Sequence, residues 1–221
     1  MTTLDDPVRT LLDRIADRAP PPASSAATTA GLGAPSSADL AAIGAALAEF
    51  ATDLDYLAPW VARLGGRAGG LAIHAPARGP RLLLVHRPEG GMSAVHDHGT
   101  WVALATIAGL ETHRRYHRVE DGTGGPLPEL VEEVALAAAQ VTTLLPPDDI
   151  HDHGHLFGRG QPAHILVLTG DDQQLFTRTE WDLATGRRRT LRPGAPGRWL
   201  ATDPIPEPDA AGSDDGARSS T

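Results

Sequence analysis

Five of the ten histidines fall in two short segments, His96-Asp97-His98 and His151-Asp152-His153-Gly154-His155. Side chains two apart on a β-strand point to the same face, so His96 and His98 can aim both imidazoles at one point. Neutral imidazole binds Fe, Zn, Ni, Cu and Mn, and one more histidine from another strand would complete a three-sided metal site. His151, His153 and His155 are the candidates for that third ligand. Two features set the segments apart from chance pairs. Gly90-Gly91 precedes the first, and Pro146-Pro147-Asp148-Asp149 precedes the second. Asp97 and Asp152 fall on the strand face opposite the neighbouring histidines, which suits turn or supporting partners rather than ligands.

Composition removes several competing chemistries. The 221 residues are enough for one domain with a real core. Hydrophobic residues make up 41% and aromatics only 4%, so that core is built from Leu, Val, Ile and Ala. All 19 basic residues are arginine, and the chain has no Lys, Asn or Cys. P-loop, Schiff-base, thiol-nucleophile, zinc-thiolate and iron–sulfur chemistry are therefore excluded. The net charge of −9 without a basic stripe argues against nucleic acid as a partner. The acidic start Met1-Thr2-Thr3-Leu4-Asp5-Asp6 is no signal peptide. Apolar runs such as Val102–Leu110 fall well short of the ~20 residues that span a bilayer, so no membrane partner and a cytoplasmic location are expected.

The elements that must position the histidines change character along the chain. Residues 1–64 read as helical. Leu4, Val8, Leu11, Leu12 and Ile15 follow a helical period after Asp5-Asp6-Pro7, and Ser37 can cap a second helix bearing Leu40, Ile43, Leu47 and Phe50. A short third helix is expected from Tyr56 to Leu64. A Pro/Ala/Ser linker is expected at about 20–36. Residues 65–200 instead show short apolar runs bounded by Gly, Pro and Asp: Arg81–His86, Ser93–Val95, Thr100–Ile107, Val131–Leu136, Gln140–Leu145, His164–Thr169 and Leu175–Arg178. Strands at this spacing predict a mainly β, antiparallel sandwich or small barrel with N-terminal helices. Residues 201–221 read as a disordered acidic tail. Arg187-Arg188-Arg189 reads as a solvated turn.

Gly91-Met92-Ser93-Ala94-Val95-His96-Asp97-His98, with Gly109 and Glu111 beyond it, resembles the first cupin motif, and Pro147-Asp148-Asp149-Ile150-His151 resembles the second. More narrowly, His96-Asp97-His98-Gly99-Thr100-Trp101 is similar to the HDHGTW signature of the bacterial cysteine dioxygenase, or thiol dioxygenase, family. Trp181-Asp182-Leu183-Ala184-Thr185-Gly186 is similar to a segment near that family's end. The resemblance covers about residues 65–190. It implies a cupin-type jelly-roll barrel with His96, His98 and His151 as metal ligands. The metal it implies is Fe(II), with Ni, Cu and Zn as alternatives that three histidines also accept. Its partners would be a small thiol, cysteine or a mercapto-acid, and O₂. Most metal cupins add a Glu four or five residues after the second histidine. Val102 and Ala103 occupy those positions here, which leaves three neutral ligands, as in thiol dioxygenases.

The departures from the family fall around the substrate. Its closing S-x-H-V-Y-G stretch is replaced by Gln161–Gly170, where Thr169 and Val167 stand for its Tyr and His, and His164 is the nearest histidine. The Cys–Tyr crosslink of animal members is impossible. The strand that carries the family's carboxylate-binding Arg has His74 instead. Arg87, in phase with Leu83 and Val85, is a second candidate to grip an anion. Trp101 and Tyr116 are further candidates to line the pocket. Two other readings stay open: different three-histidine chemistry, as a carbon–carbon-cleaving dioxygenase or a lyase, and a non-catalytic cupin that binds a metal or ligand.

Overall fold

The computed structural model describes residues 6–19, 34–119, 127–156, 162–191 and 193. Most of the expected linker, residues 20–33, and the expected acidic tail, residues 201–221, lie outside the described residues. Three helices come first: α1 (Asp6–Ala16), α2 (Ser37–Phe50) and α3 (Leu54–Leu64). Val8, Leu11 and Ile15 form the buried stripe of α1, as their period predicts. The cap of α2 is Ser36 rather than Ser37: its hydroxyl accepts the Asp39 amide at 3.1 Å. Asp53 caps α3, and Gly65 ends it in the left-handed conformation at φ 59°.

Eleven strands follow: β1 (Gly69–His74), β2 (Arg81–Arg87), β3 (Val95–His96), β4 (Val102–Ala108), β5 (Leu110–Val119), β6 (Leu127–Ala137), β7 (Val141–Leu144), β8 (His151–Gly154), β9 (Ala163–Thr169), β10 (Arg178–Asp182) and β11 (Arg187–Leu191). They form two antiparallel sheets, in the orders β1-β2-β9-β4-β7 and β11-β10-β3-β8-β5-β6. From β2 to β10 the chain alternates between the sheets except at the β5–β6 hairpin, which is the winding of a jelly roll. The mainly β, double-sheeted barrel with N-terminal helices is the architecture expected from the strand spacing.

The five-stranded sheet has two apolar faces. Leu82, Leu84, Ala103, Ala105, Leu166 and Leu168 pack outward with the helices in one core. Leu83, Val85, Val102, Leu104, Ile165 and Val167 point the other way, into the barrel, as a second core. Burial on both faces explains why β2, β4 and β9 read as continuous apolar runs. Two expectations need correction. Gln173–Leu175 is a 3₁₀ turn, and the strand there begins only at Arg178. The Arg187-Arg188-Arg189 run is not a turn but the start of β11, where the Arg189 Nε donates to Glu180 at 2.7 Å.

Candidate metal centre

His96 ends β3, His98 lies two residues beyond it, and His151 begins β8 directly across from His96. Their ligand nitrogens all lie within 4.8 Å of one another, and all three side chains are buried. The tautomers are set from behind. His96 Nδ1 lies 2.8 Å from the Ala94 carbonyl and His151 Nδ1 lies 2.9 Å from the Asp149 carbonyl. A carbonyl only accepts, so each Nδ1 carries the proton and each Nε2 is left as a lone pair. His151 Nε2 is buried without a hydrogen-bond partner among the described residues, and His98 Nε2 stands 2.9 Å from His96 Nε2. An unpartnered His151 Nε2 beside two Nε2 atoms that have only each other, all in one buried space, is a donor set that a borderline divalent cation can bind, so these residues fit a metal.

The frame behind the cluster ties the two histidine segments together. Asp149 does this twice. Its carboxylate accepts the amides of His98 at 2.8 Å and Gly99 at 3.1 Å, while its carbonyl holds His151. Gly99 turns the chain at φ 68°, with Phe176 against its Cα. Gly90-Gly91 has a similar purpose. The Gly90 amide donates to the His155 carbonyl at 2.8 Å, and the Gly91 backbone lies where a side chain on Gly154 would be. Ser93 adds two bonds, its amide to the His153 carbonyl at 2.9 Å and its Oγ accepting the His153 amide at 3.0 Å. Asp97 points away from the cluster and joins β10, accepting the Thr179 amide at 2.6 Å and Arg118 at 3.2 Å. Asp152 pairs with Arg114 on the outer face, where Nε donates to Oδ1 at 2.8 Å.

Around the cluster the barrel wall is polar. His113 stacks on His151 with ring centroids 5.2 Å apart, and neither of its nitrogens has a hydrogen-bond partner among the described residues. His153 is not in the cluster: its Nδ1 is held at 2.6 Å by Glu111 Oε1. His155 is fully buried with neither nitrogen partnered among the described residues, and it too lies outside the group. The three clustered histidines include no carboxylate, because Glu111 is committed to His153. Burial pushes His96 down to about 4 and His98 and His151 well below the ordinary range, the latter two helped by neighbouring imidazoles. All three are thus neutral, as ligands must be. Burial likewise lifts Glu111 to about 8, opposed by Arg87, and depresses His153, so both members of that pair are held neutral.

The expected substrate residues divide sharply. Arg87 faces into the barrel, two residues on from Val85, and its charge acts on Glu111, His96 and His153. Trp101 does not face the cluster; it packs in the core under the helices, in phase with Ala103 and Ala105. Tyr116 packs on the outer face with Val95, Ile150 and Trp181, in phase with the outward Thr112 and Arg114 of β5. His164 lies across from His86 on the helix-facing side of the five-stranded sheet. His74 ends β1, at the edge of that same sheet. Asp149 stood in the quoted Pro147–His151 motif without an assigned role, and His113 and the Glu111–His153 bond were not singled out from sequence. The period-two placement of Glu111 and His113 was the available signal for those two.

No protein-family model and no curated protein matches the sequence. Solved structures overlap parts of it. An oxalate oxidase in complex with glycolate is 15% identical over 42% of this chain and 42% of that one, with a TM-score of 0.34. A hydroquinone 1,2-dioxygenase in complex with Cd²⁺ and 4-hydroxybenzonitrile is 13% identical over 50% and 69%, at 0.38. A protein with a double-stranded β-helix domain from Klebsiella pneumoniae is 12% identical over 57% and 86%, at 0.35. The chain spans about two fifths of the oxalate oxidase it overlaps. By its own geometry, the chain is a double-sheeted antiparallel β-barrel in which three buried histidines form a group able to hold a metal ion.

Proposed function

We propose that the protein is an Fe(II)- and O₂-dependent enzyme that oxidises the sulfur of a small anionic thiol, with His96, His98 and His151 as the metal ligands. The observation that carries this reading is the donor set: converging imidazole nitrogens with no carboxylate among them. Three neutral ligands leave the full 2+ charge of the ion uncompensated, which favours a thiolate over a neutral ligand. Iron bound there would supply open positions for both reactants and the redox capacity that lets O₂ react with sulfur. The reaction balances without a further reductant: RS⁻ and O₂ give RSO₂⁻, both oxygen atoms ending on sulfur, which is oxidised while O₂ is reduced.

The protein's own residues supply position and environment. Arg87 offers a guanidinium to a substrate carboxylate, and the neutral state of Glu111 leaves that positive charge available. The apolar wall of Leu83, Val85, Val102 and Leu104 excludes water from the side facing the histidines. His113 presents two unpartnered nitrogens beside the cluster, where it can hydrogen-bond the bound substrate.

The test is O₂ uptake by anaerobically Fe(II)-loaded protein with cysteine, 3-mercaptopropionate, cysteamine and a thiol-free control, with products read by mass spectrometry. Uptake with a carboxylate-bearing thiol and a gain of two oxygen atoms is expected. Arg87→Gln is expected to raise KM for that thiol with a smaller change in kcat. Bound iron with no thiol-dependent uptake would overturn the reading in favour of a lyase or a binding module.

A further inference from the structure

A second pair of histidines lies outside this centre, on the opposite face of the other sheet. His86 on β2 and His164 on β9 are direct cross-strand partners, so their side chains rise side by side. Their ring centroids are 4.5 Å apart. The three clustered histidines show the same spacing, 4.5, 4.7 and 4.9 Å. His86 is 4% exposed, and its Nδ1 is buried with no hydrogen-bond partner among the described residues. An unsatisfied ring nitrogen next to a second imidazole is a costly arrangement unless something accepts the lone pair.

The rest of the row leaves room for that something. Reading across the sheet, the residues in register are Gly69, His86, His164 and Ala108. The two flanking positions carry at most a methyl group, and a side-chain carbon placed on Gly69 would meet nothing within 4 Å among the described residues. His164 is half-buried, so the pair is open to solvent on one side. Burial and the neighbouring His86 both lower His164, which keeps it in the neutral, ligating form.

We propose that His86 and His164 form a second metal site, a two-histidine chelate for a late first-row divalent ion such as Cu²⁺, Ni²⁺ or Zn²⁺, completed by water. Two imidazoles without a carboxylate or thiolate select these ions over Mg²⁺ or Ca²⁺, and Cu²⁺ binds most tightly of the series. The site is independent of the catalytic reading, since it shares no residue and no sheet face with the triad.

The experiment titrates untagged full-length protein with Cu²⁺ alone, counting equivalents by equilibrium dialysis and reading nitrogen coupling by electron paramagnetic resonance. Two tight equivalents are expected. His164→Ala is expected to lose one of them and keep the other, and His164→Gln serves if the alanine variant does not fold. His98→Ala is expected to lose the other, leaving a signal with coupling to two nitrogens. His117→Ala, which removes an exposed histidine on β5, is expected to keep both. Unchanged stoichiometry and spectrum in the folded His164 variant would overturn the proposal. Loss of an equivalent in that variant, with none lost in His98→Ala, would uphold this site while removing the triad.

Discussion

The inner face of β2, β4 and β9 carries Leu83, Val85, Val102, Leu104, Ile165 and Val167, whereas the facing wall carries Glu111, His113 and His153 beside the three clustered histidines. The first wall removes apolar area from water and so favours folding. The second buries imidazoles and a carboxyl, several with no hydrogen-bond partner, and so opposes it. One sheet thus stabilises the barrel in which the other holds the polar cluster. The difference teaches where to expect loss of function without loss of fold, and the reverse.

The largest expected effect falls on the polar wall. His96→Ala or His98→Ala should abolish both metal retention and turnover while leaving the fold intact, read by metal analysis and circular dichroism. Stoichiometric metal with full activity in His98→Ala would break the contrast. On the apolar wall, Leu104→Ala should cost about 2–5 kcal/mol of stability, since Leu104 is fully buried, with metal stoichiometry unchanged. Denaturant titration of the two variants side by side measures the contrast directly. Asp149→Ala lies between the two. It frees the His98 and Gly99 amides and should weaken metal affinity about 10–100-fold, read by competition with a chelator.

Acid should expose the cost of the polar wall in metal-free protein. Burial holds His96, His98, His113, His151 and His153 below their ordinary 6.5, so between there and about pH 4 the unfolded chain binds more protons than the native one. Stability therefore falls as pH drops through that window. Glu111 acts in the opposite sense. Lifted from 4.5 to about 8, it binds a proton on folding, and its contribution fades as pH rises between those values. Burial also raises the carboxyls of Asp97, Asp149 and Asp152, which act in the same sense as Glu111, but the five imidazoles outweigh them between pH 5 and 6.5, so the denaturation midpoint should fall from pH 6.5 to 5 and only gently from 6.5 to 8. A flat acid side would contradict this. The smallest effect belongs to His155→Ala, which should leave metal and turnover nearly intact because His155 stands outside the cluster.

The same contrast explains what could be read from the sequence. β2, β4 and β9 announce themselves as apolar runs because both of their faces are buried. β5 does not, because its inward positions are Glu111 and His113 and its outward ones include Thr112 and Arg114, which leaves no hydrophobic alternation. β8 is hidden for the same reason, being His151-Asp152-His153-Gly154. The polar wall was thus legible as a cluster of ligand types but not as strands. Phase along a strand placed Arg87 inward, since β2 runs unbroken from Leu83. It could not place Tyr116, because β5 has no apolar alternation to mark which of its faces is the inner one, and Tyr116 shares the outward phase of Thr112 and Arg114. Trp101 was ambiguous for another reason: in a sheet with two apolar faces, a tryptophan suits either.

The central claim is a metal centre of three imidazoles and no carboxylate on the polar wall. X-ray absorption at the iron edge of anaerobically Fe(II)-loaded protein tests it most directly, run on wild type, His151→Ala and Glu111→Gln. The account predicts one iron per chain with three imidazole ligands in wild type, an unchanged spectrum in Glu111→Gln, and loss of the iron in His151→Ala. A shell that loses an oxygen ligand in Glu111→Gln, or that survives intact in His151→Ala, would contradict it.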